Sequence, residues 1–238
     1  MTPSLPLLLE VLEATWPPAV TRHLNGWILR DGAGGGKRVS ATTGSGDVAV
    51  AERAMQATGQ ALLFQMRGGQ PEDGILAARG YARIDPTILY AVKVDVLATD
   101  LPPSVTTFEV WEPLQIMRDI WAAGGIGPAR VAVMDRVQGP KTGLFGRINN
   151  RPAGAGFVAI HKSIAMVHAL EVLADQRRKG LGIYMMRQAA FWAKRNGAQH
   201  LALAVTEANA AANALYAGLG LTRVGGYHYR MKRGDTPS

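Results

Sequence analysis

Apolar and polar positions alternate along this chain in short blocks, and the blocks predict helices and strands in turn. Residues 4–14 read as a helix that Pro17 and Pro18 end. A short strand over 26–30, a glycine-rich turn over 31–37 and a helix over 47–58 follow. Residues 61–66 read as a strand, and 72–79 as a short helix closed by Gly80. Residues 81–84 and 90–97 look extended. Leu101-Pro102-Pro103-Ser104 is the best linker, with a new start at Phe108-Glu109-Val110-Trp111. Beyond it come a helix over 113–122 ended by Gly124-Gly125, a strand over 131–137, a Gly/Lys loop over 139–146 and a strand over 156–160.

The region 164–231 is the most regular. A strand over 164–173 leads into a basic glycine turn and then a helix over about 182–196. Ile183, Met186, Ala190 and Ala193 give that helix one apolar face. The continuous apolar run 201–205 suits a buried strand. An alanine-rich helix over 209–218 and an extended segment over 222–231 complete an α/β order. The chain also echoes itself: residues 215–224 align with 75–84 at an offset of 140, as from Gly80 to Gly220. Duplication of a whole unit explains this; so does the general likeness of helix–glycine–strand joints, because glycine fits the left-handed cap.

Composition narrows the chemistry. With 47% apolar and 18% charged residues among 238, a packed core is expected. The absence of cysteine excludes disulfides, a thiol nucleophile and thiolate metal sites. The five histidines show no metal spacing, so no metal is expected. No apolar run approaches a membrane span, and the first residues lack a leader's basic start, so a cytoplasmic protein is expected. The net charge of +8 is scattered apart from Arg177-Arg178-Lys179 and a group at Arg230, Lys232 and Arg233, which speaks against nucleic acid as the main ligand.

Arg177-Arg178-Lys179-Gly180-Leu181-Gly182 is the sharpest local feature. A glycine turn that opens a helix can seat a phosphate on unpaired backbone N–H groups; a solvated basic loop would look the same. Two other phosphate patterns fail. Near Lys37 the first glycine and the hydroxyl of a Walker loop are replaced by Asp31 and Arg38, and Gly154-Ala155-Gly156-Phe157-Val158-Ala159 precedes a strand rather than a helix.

Taken with its flanks, the turn resembles the GNAT superfamily of acyl-CoA-dependent N-acyltransferases. Leu170-Glu171-Val172 is similar to the end of that family's central strand. Arg177-x-x-Gly180-x-Gly182 is similar to its pyrophosphate loop, and Asn209-x-x-Ala212-x-x-Leu215-Tyr216 with Gly220-Leu221 to its closing motif, Leu221 standing for an aromatic. Close similarity covers about 70 residues. The resemblance implies a mixed, mostly antiparallel sheet flanked by helices. With the echo, it implies a degenerate copy over 1–100 and a catalytic domain over 105–238.

The resemblance further implies acetyl-CoA as co-substrate and a small-molecule or peptide amine as acceptor. Pantetheine would lie along Leu170 to Val172. Pyrophosphate would lie on Arg177, Arg178, Lys179, Gly180, Leu181, Gly182 and Ile183, and Asn209 would contact the cofactor arm. Tyr216 would protonate the departing thiolate, or else be a core tyrosine. Some relatives carry a glutamate where this chain has Ala204. Glu171 is then the candidate base, or a salt-bridged strand end; Glu207 is the other nearby carboxylate, and His168 reads as structural. Trp16, Trp27, Arg30 and Arg38 could touch an acceptor, with core and surface roles favoured. The alternative to an enzyme is an idle acyl-CoA sensor, and a homodimer is left open.

Overall fold

The computed structural model describes residues 2–232 and 234, so Arg233 of the basic C-terminal group lies outside the described residues. In chain order the elements are α1 (Leu5–Thr15), β1 (Val20–Leu24), β2 (Trp27–Asp31), α2 (Lys37–Ser40), β3 (Thr43–Gly44), α3 (Val48–Ala57), β4 (Leu63–Met66), α4 (Pro71–Ala78), β5 (Tyr81–Lys93) and α5 (Val94–Leu97). The second half contributes β6 (Thr107–Val110), α6 (Gln115–Ala123), α7 (Pro128–Asp135), β7 (Lys141–Ile148), β8 (Arg151–His161), β9 (Ile164–Val172), α8 (Leu181–Arg195), β10 (His200–Thr206), α9 (Ala210–Gly218) and β11 (Thr222–Lys232).

Eight strands form one mixed sheet in the order β4-β11-β5-β10-β9-β8-β7-β6, and β1-β2-β3 form a small second sheet. Only the β9–β10 pair of the large sheet is parallel; the other neighbours run antiparallel. Alternation along the strands builds a core on each face. On β10, Leu201, Leu203 and Val205 pack with α5, α8 and α9, while Ala202 and Ala204 pack toward α1. On β8, Val158 joins the α8 side and Phe157 and Ala159 meet Met117 and Trp121 of α6. Among the described residues, no helix is long and apolar enough to cross a membrane.

The two sequence halves interleave. β5 lies between β10 and β11, and β11 lies between β5 and β4. Each half therefore lays its last strand against the penultimate strand of the other. Where β5 and β11 pair, Thr87 stands opposite Tyr227, its echo at the 140-residue offset.

Three expectations are corrected. The apolar run at 131–137 is helical: Pro128 opens α7, and Val131, Val133 and Met134 are its buried residues. The stretch at 139–146 is mostly strand β7, and its glycines serve packing rather than a loop. A Cβ at Gly146 would come 3.0 Å from Leu181 and Met185 of α8. The glycines of β8 face the same helix: a Cβ at Gly154 would lie 2.9 Å from Met185. The Gly154-x-Gly156 pattern is thus a seat for α8. Lastly, 81–93 is one strand with a kink at Asp85 (φ +44°), and 94–97 is a helical turn.

Candidate functional site

The site begins where the parallel pair parts. β9 and β10 are laddered from His200 opposite Ile164 to Leu203 opposite Val167. Both continue, β9 to Val172 and β10 to Thr206, without further pairing to each other among the described residues. A bulge drives the separation. The β8–β9 register shifts between Ala155 and Phe157, and Ala169 takes the left-handed φ of +50°. Glu171 and Val172 pair with β8 on one side, so the opposite edge of Leu170 to Val172 faces the gap. Unpaired N–H and C=O groups there can accept an extended, amide-bearing ligand.

After β9, Ala174–Gln176 make one 3₁₀ turn. Arg178 (φ +63°) and Gly180 (φ +81°) are left-handed, and α8 opens at Gly180 with no side-chain cap. Its first amides are therefore not held by the chain's own side chains, and the helix dipole adds positive charge there. Two of the three basic side chains serve the loop: Arg177 Nε donates to Val172 O at 3.0 Å, and Lys179 Nζ donates to Asp175 O and to Gln176 Oε1, each at 3.0 Å. Leu181 is buried against β7 and β8, and Ile183 N donates to Gly180 O. A Cβ at Gly182 would come 3.1 Å from Leu215 of α9, so the two helices converge closely at this end.

Asn209 caps α9, its Oδ1 accepting from Ala212 N at 3.1 Å. Asn213 Nδ2 donates to the carbonyls of Thr206 and Asn209, fixing the β10–α9 turn, and Tyr90 donates to Asn213 Oδ1. This helix carries Tyr216, which is buried among the apolar residues packed against α8. Burial first, and the Glu171 carboxylate second, push the Tyr216 hydroxyl up to about 12. Glu171 is half-buried, and burial raises its carboxyl pKa against the opposing Arg177. Its side chain lies over Gly124 at the end of α6, where a Cβ would approach Cδ to 2.7 Å. Glu207 is exposed and ion-paired to Arg223 at 3.2 Å, and Ala204 offers no proton acceptor.

The histidine on the central strand is structural. His168 lies against Thr15 Oγ1 (2.9 Å) and Arg38 Nη1 (3.4 Å) and stacks on Trp16. Arg38 can only donate, so Nδ1 accepts and Nε2 carries the proton donated to Thr15, which in turn donates to Val11 O. Burial, then the Arg38 charge, hold the imidazole well below its ordinary pKa of 6.5.

A cleft of about 290 Å³ opens on the α1 side of the gap, with Ala169 and Thr206 in its wall where β9 and β10 have parted. Trp16 and Ile126 give apolar walls, and Tyr227 and Tyr229 come from β11. Lys37, Arg38 and Arg130 supply positive charge. Of the four acceptor candidates read from sequence, Trp16 and Arg38 line this cleft. Trp27 is core, and Arg30 is a buried tether to Glu13 at 2.8 Å. Sequence reasoning missed Lys37, Arg130, Thr206, Tyr227 and Tyr229. They come from four separate elements, and the alternating tyrosines of 227–229 are their only local signal.

Residues 114–221 match the acetyltransferase (GNAT) family. A relative from Bacillus subtilis (strain 168), an uncharacterized N-acetyltransferase named YobR, is 26% identical and aligns over 92% of this chain and 95% of its own. Among solved structures, a GCN5-related N-acetyltransferase from Kribbella flavida superposes with a TM-score of 0.71 at 18% identity, covering 96% of this chain and 95% of that one. A tandem GNAT protein from the clavulanic acid biosynthesis pathway superposes with a TM-score of 0.61 at 15% identity, covering 95% and 87%. These structural likenesses concern the fold.

Proposed function

We propose that this chain, which carries a domain of the GNAT acetyltransferase family, moves an acetyl group from acetyl-CoA directly to a primary amine. The observation that carries the reading is the parting of β9 from β10 beside the uncapped N-terminus of α8, with Glu171 at the end of β9 and Tyr216 on α9 buried among the residues packed against α8. The residues fit the co-substrate. The open edge of Leu170 to Val172 suits the pantetheine amides, and the turn from Arg177 to Ile183 suits the pyrophosphate. Arg178, whose side chain makes no hydrogen bond or ion pair among the described residues, adds charge there. Arg177 and Lys179 shape the turn, and Asn209 holds the α9 wall.

Acetyl-CoA supplies the acyl group as a thioester. A free alkylammonium has a pKa near ~10.4, so the acceptor must lose a proton before it attacks. Glu171 takes that proton, directly or through a water; its raised carboxyl pKa makes it a better base than an exposed glutamate. Tyr216 keeps its own proton throughout the neutral range and delivers it to the departing thiolate. A chain without cysteine has no thiol to carry an acyl group, which favours direct transfer.

Ala204 supports a second reading, an acyl-CoA sensor that binds without turnover. Calorimetry with acetyl-CoA, CoA and NAD, followed by thiol release over an amine panel, tests both. Heat with acetyl-CoA and not NAD, plus amine-dependent thiol release, is the expected result. Heat without thiol release leaves the sensor, and no heat removes both readings. We also read 1–100 and 105–238 as two copies of one unit. Support comes from the matching order α3-β4-α4-β5 and α8-β10-α9-β11, and from the pairing of Thr87 with its echo Tyr227.

A further inference from the structure

The geometry points to a small amine bearing an oxyanion, a carboxylate or phosphate, as the acceptor, held in the cleft by Arg38 and Arg130. This inference rests on the acetyltransferase reading and adds the charge of the substrate to it.

The cleft touches the parted strands on the α1 side: Ala169 and Thr206 belong to its wall. Its volume of about 290 Å³ stands at the small end of small-molecule sites, which run from about 300 to 1,000 Å³, and so suits a compact acceptor. Three of its side chains are cationic and one is anionic. Lys37 and Asp85 satisfy each other at 2.6 Å. Arg38 and Arg130 have no carboxylate partner among the described residues, so two guanidinium charges are left over.

Arg38 is the decisive one. Its Nη1 reaches neutral His168, the Tyr227 and Tyr229 hydroxyls lie beside it, and its Nε is buried without a hydrogen-bond partner. Burial works against the charge and the two tyrosines outweigh it, so Arg38 stays cationic, and no carboxylate stands among these neighbours to neutralise it before an anion arrives. Arg130 arrives from α7, and its guanidinium lies over Gly36, two residues before Arg38, where a Cβ would meet Nη2 at 3.2 Å. Gly36 adopts φ +91°, a conformation suited to glycine, so the turn before α2 keeps the space that Arg130 uses. Two guanidinium forks match an oxyanion with paired N–H donors. An acceptor held there would have the strand gap, and hence the thioester, on its other side. Glu171 stands near that side, because it covers Gly124, two residues before the cleft-lining Ile126.

Matched acceptors of equal chain length test this: ω-amino carboxylates, their carboxamides, the diamines and aminoalkyl phosphates, each with acetyl-CoA in a thiol-release assay. The expected result is a kcat/KM at least about tenfold higher for the carboxylate or phosphate than for the carboxamide, expressed mainly in KM. Which oxyanion wins identifies the source. In Arg130→Ala, and in Arg38→Gln if it folds, the ratio should fall toward unity. Equal or better turnover of carboxamides or diamines overturns the inference while leaving acetyl transfer intact. If no amine releases thiol, calorimetry on the CoA-loaded protein decides. Tighter binding of the amino carboxylate than of its carboxamide, lost in Arg130→Ala, keeps the inference and removes the transferase reading. Equal or absent binding removes the inference.

Discussion

In the proposed mechanism Tyr216 and Glu171 divide the proton work, and burial is the first cause that raises the pKa of each. Tyr216 is raised to about 12 by burial and by the Glu171 charge, while Glu171 is raised by burial against Arg177. Replacing the phenol by Phe keeps the packing against α8 and removes only the proton. Tyr216→Phe should therefore lower kcat by about 10²–10⁴-fold and leave the heat of acetyl-CoA binding unchanged; undiminished turnover would strip Tyr216 of the acid role. Glu171 can be probed without touching it. A Cβ at Gly124 would sit 2.7–3.0 Å from the Glu171 side-chain end, which is free to swing aside. Gly124 has a negative φ of −87°, so Ala fits its backbone. Gly124→Ala should change stability by less than ~1 kcal/mol yet reduce kcat, because the carboxylate is displaced from the gap. A variant with wild-type kcat would show that the carboxylate's position does not matter to turnover.

At the scale of elements, the proposed co-substrate loop depends on where α8 sits. Leu181 and Met185 sit on a glycine seat built by β7 and β8, and this seat sets how near the helix N-terminus comes to the end of β9. At Gly154 a Cβ would meet Met185 and the backbone O of Glu171, each at 2.9 Å, and a backbone atom cannot swing away. Gly154→Ala should destabilise by about 1–3 kcal/mol and weaken acetyl-CoA binding together, as calorimetry and urea melts would report. A fall in stability with binding untouched would uncouple the seat from the loop. The α1–β9 contact has its own pH signature. In the folded chain His168 stays neutral well below pH 6.5, whereas the unfolded chain takes up a proton there, so the unfolded state binds more protons and stability falls as pH drops through that window. The slope is at most about 1.4 kcal/mol per pH unit. The lowered carboxylates Glu10, Asp73 and Asp95 act only below about 4.5, in a separate window. His168→Gln should flatten the urea midpoint between pH 6.5 and 5.5; an unchanged slope would assign it elsewhere. Legibility follows the same division. The motif elements were readable because their signals are local: Asn209 caps the helix it precedes, and Gly180 begins the helix it precedes. The run at 131–137 misled because a short apolar block fits a buried strand and a short helix equally, and only Pro128 leaned toward a helix. The cleft was legible only in Trp16 and Arg38, because Arg130, Ala169, Thr206 and Tyr227 join them only through the fold.

The whole molecule is tied together by exchanged strands. A sequence reader sees two units divided near residue 101, and the order of elements in 1–100 and 105–238 supports that as a history. The sheet makes a different statement about stability. β5 is paired along both edges by strands of the second half, to β10 from Thr87 to Lys93 and to β11 from Tyr81 to Ala91. Removing it leaves β10 and β11 unpaired on the edges they present to it and opens the apolar surface of Leu89, Ala91 and Val92. Conversely, β4 has only β11 and a single bridge from Thr42 as described strand partners. Neither half can thus close its own sheet, and the cleft, with Trp16 and Arg38 from the first half and Arg130 and Tyr227 from the second, exists only in the complete chain. The fragment 105–238, although it holds Tyr216, Glu171 and the whole loop from Arg177 to Ile183, should show no cooperative urea transition and no heat with acetyl-CoA. Co-expressed with 1–100 it should co-purify as a one-to-one complex and regain both. A fragment 105–238 that folds alone and binds acetyl-CoA would mean that β5 is dispensable and that the second half is an autonomous unit.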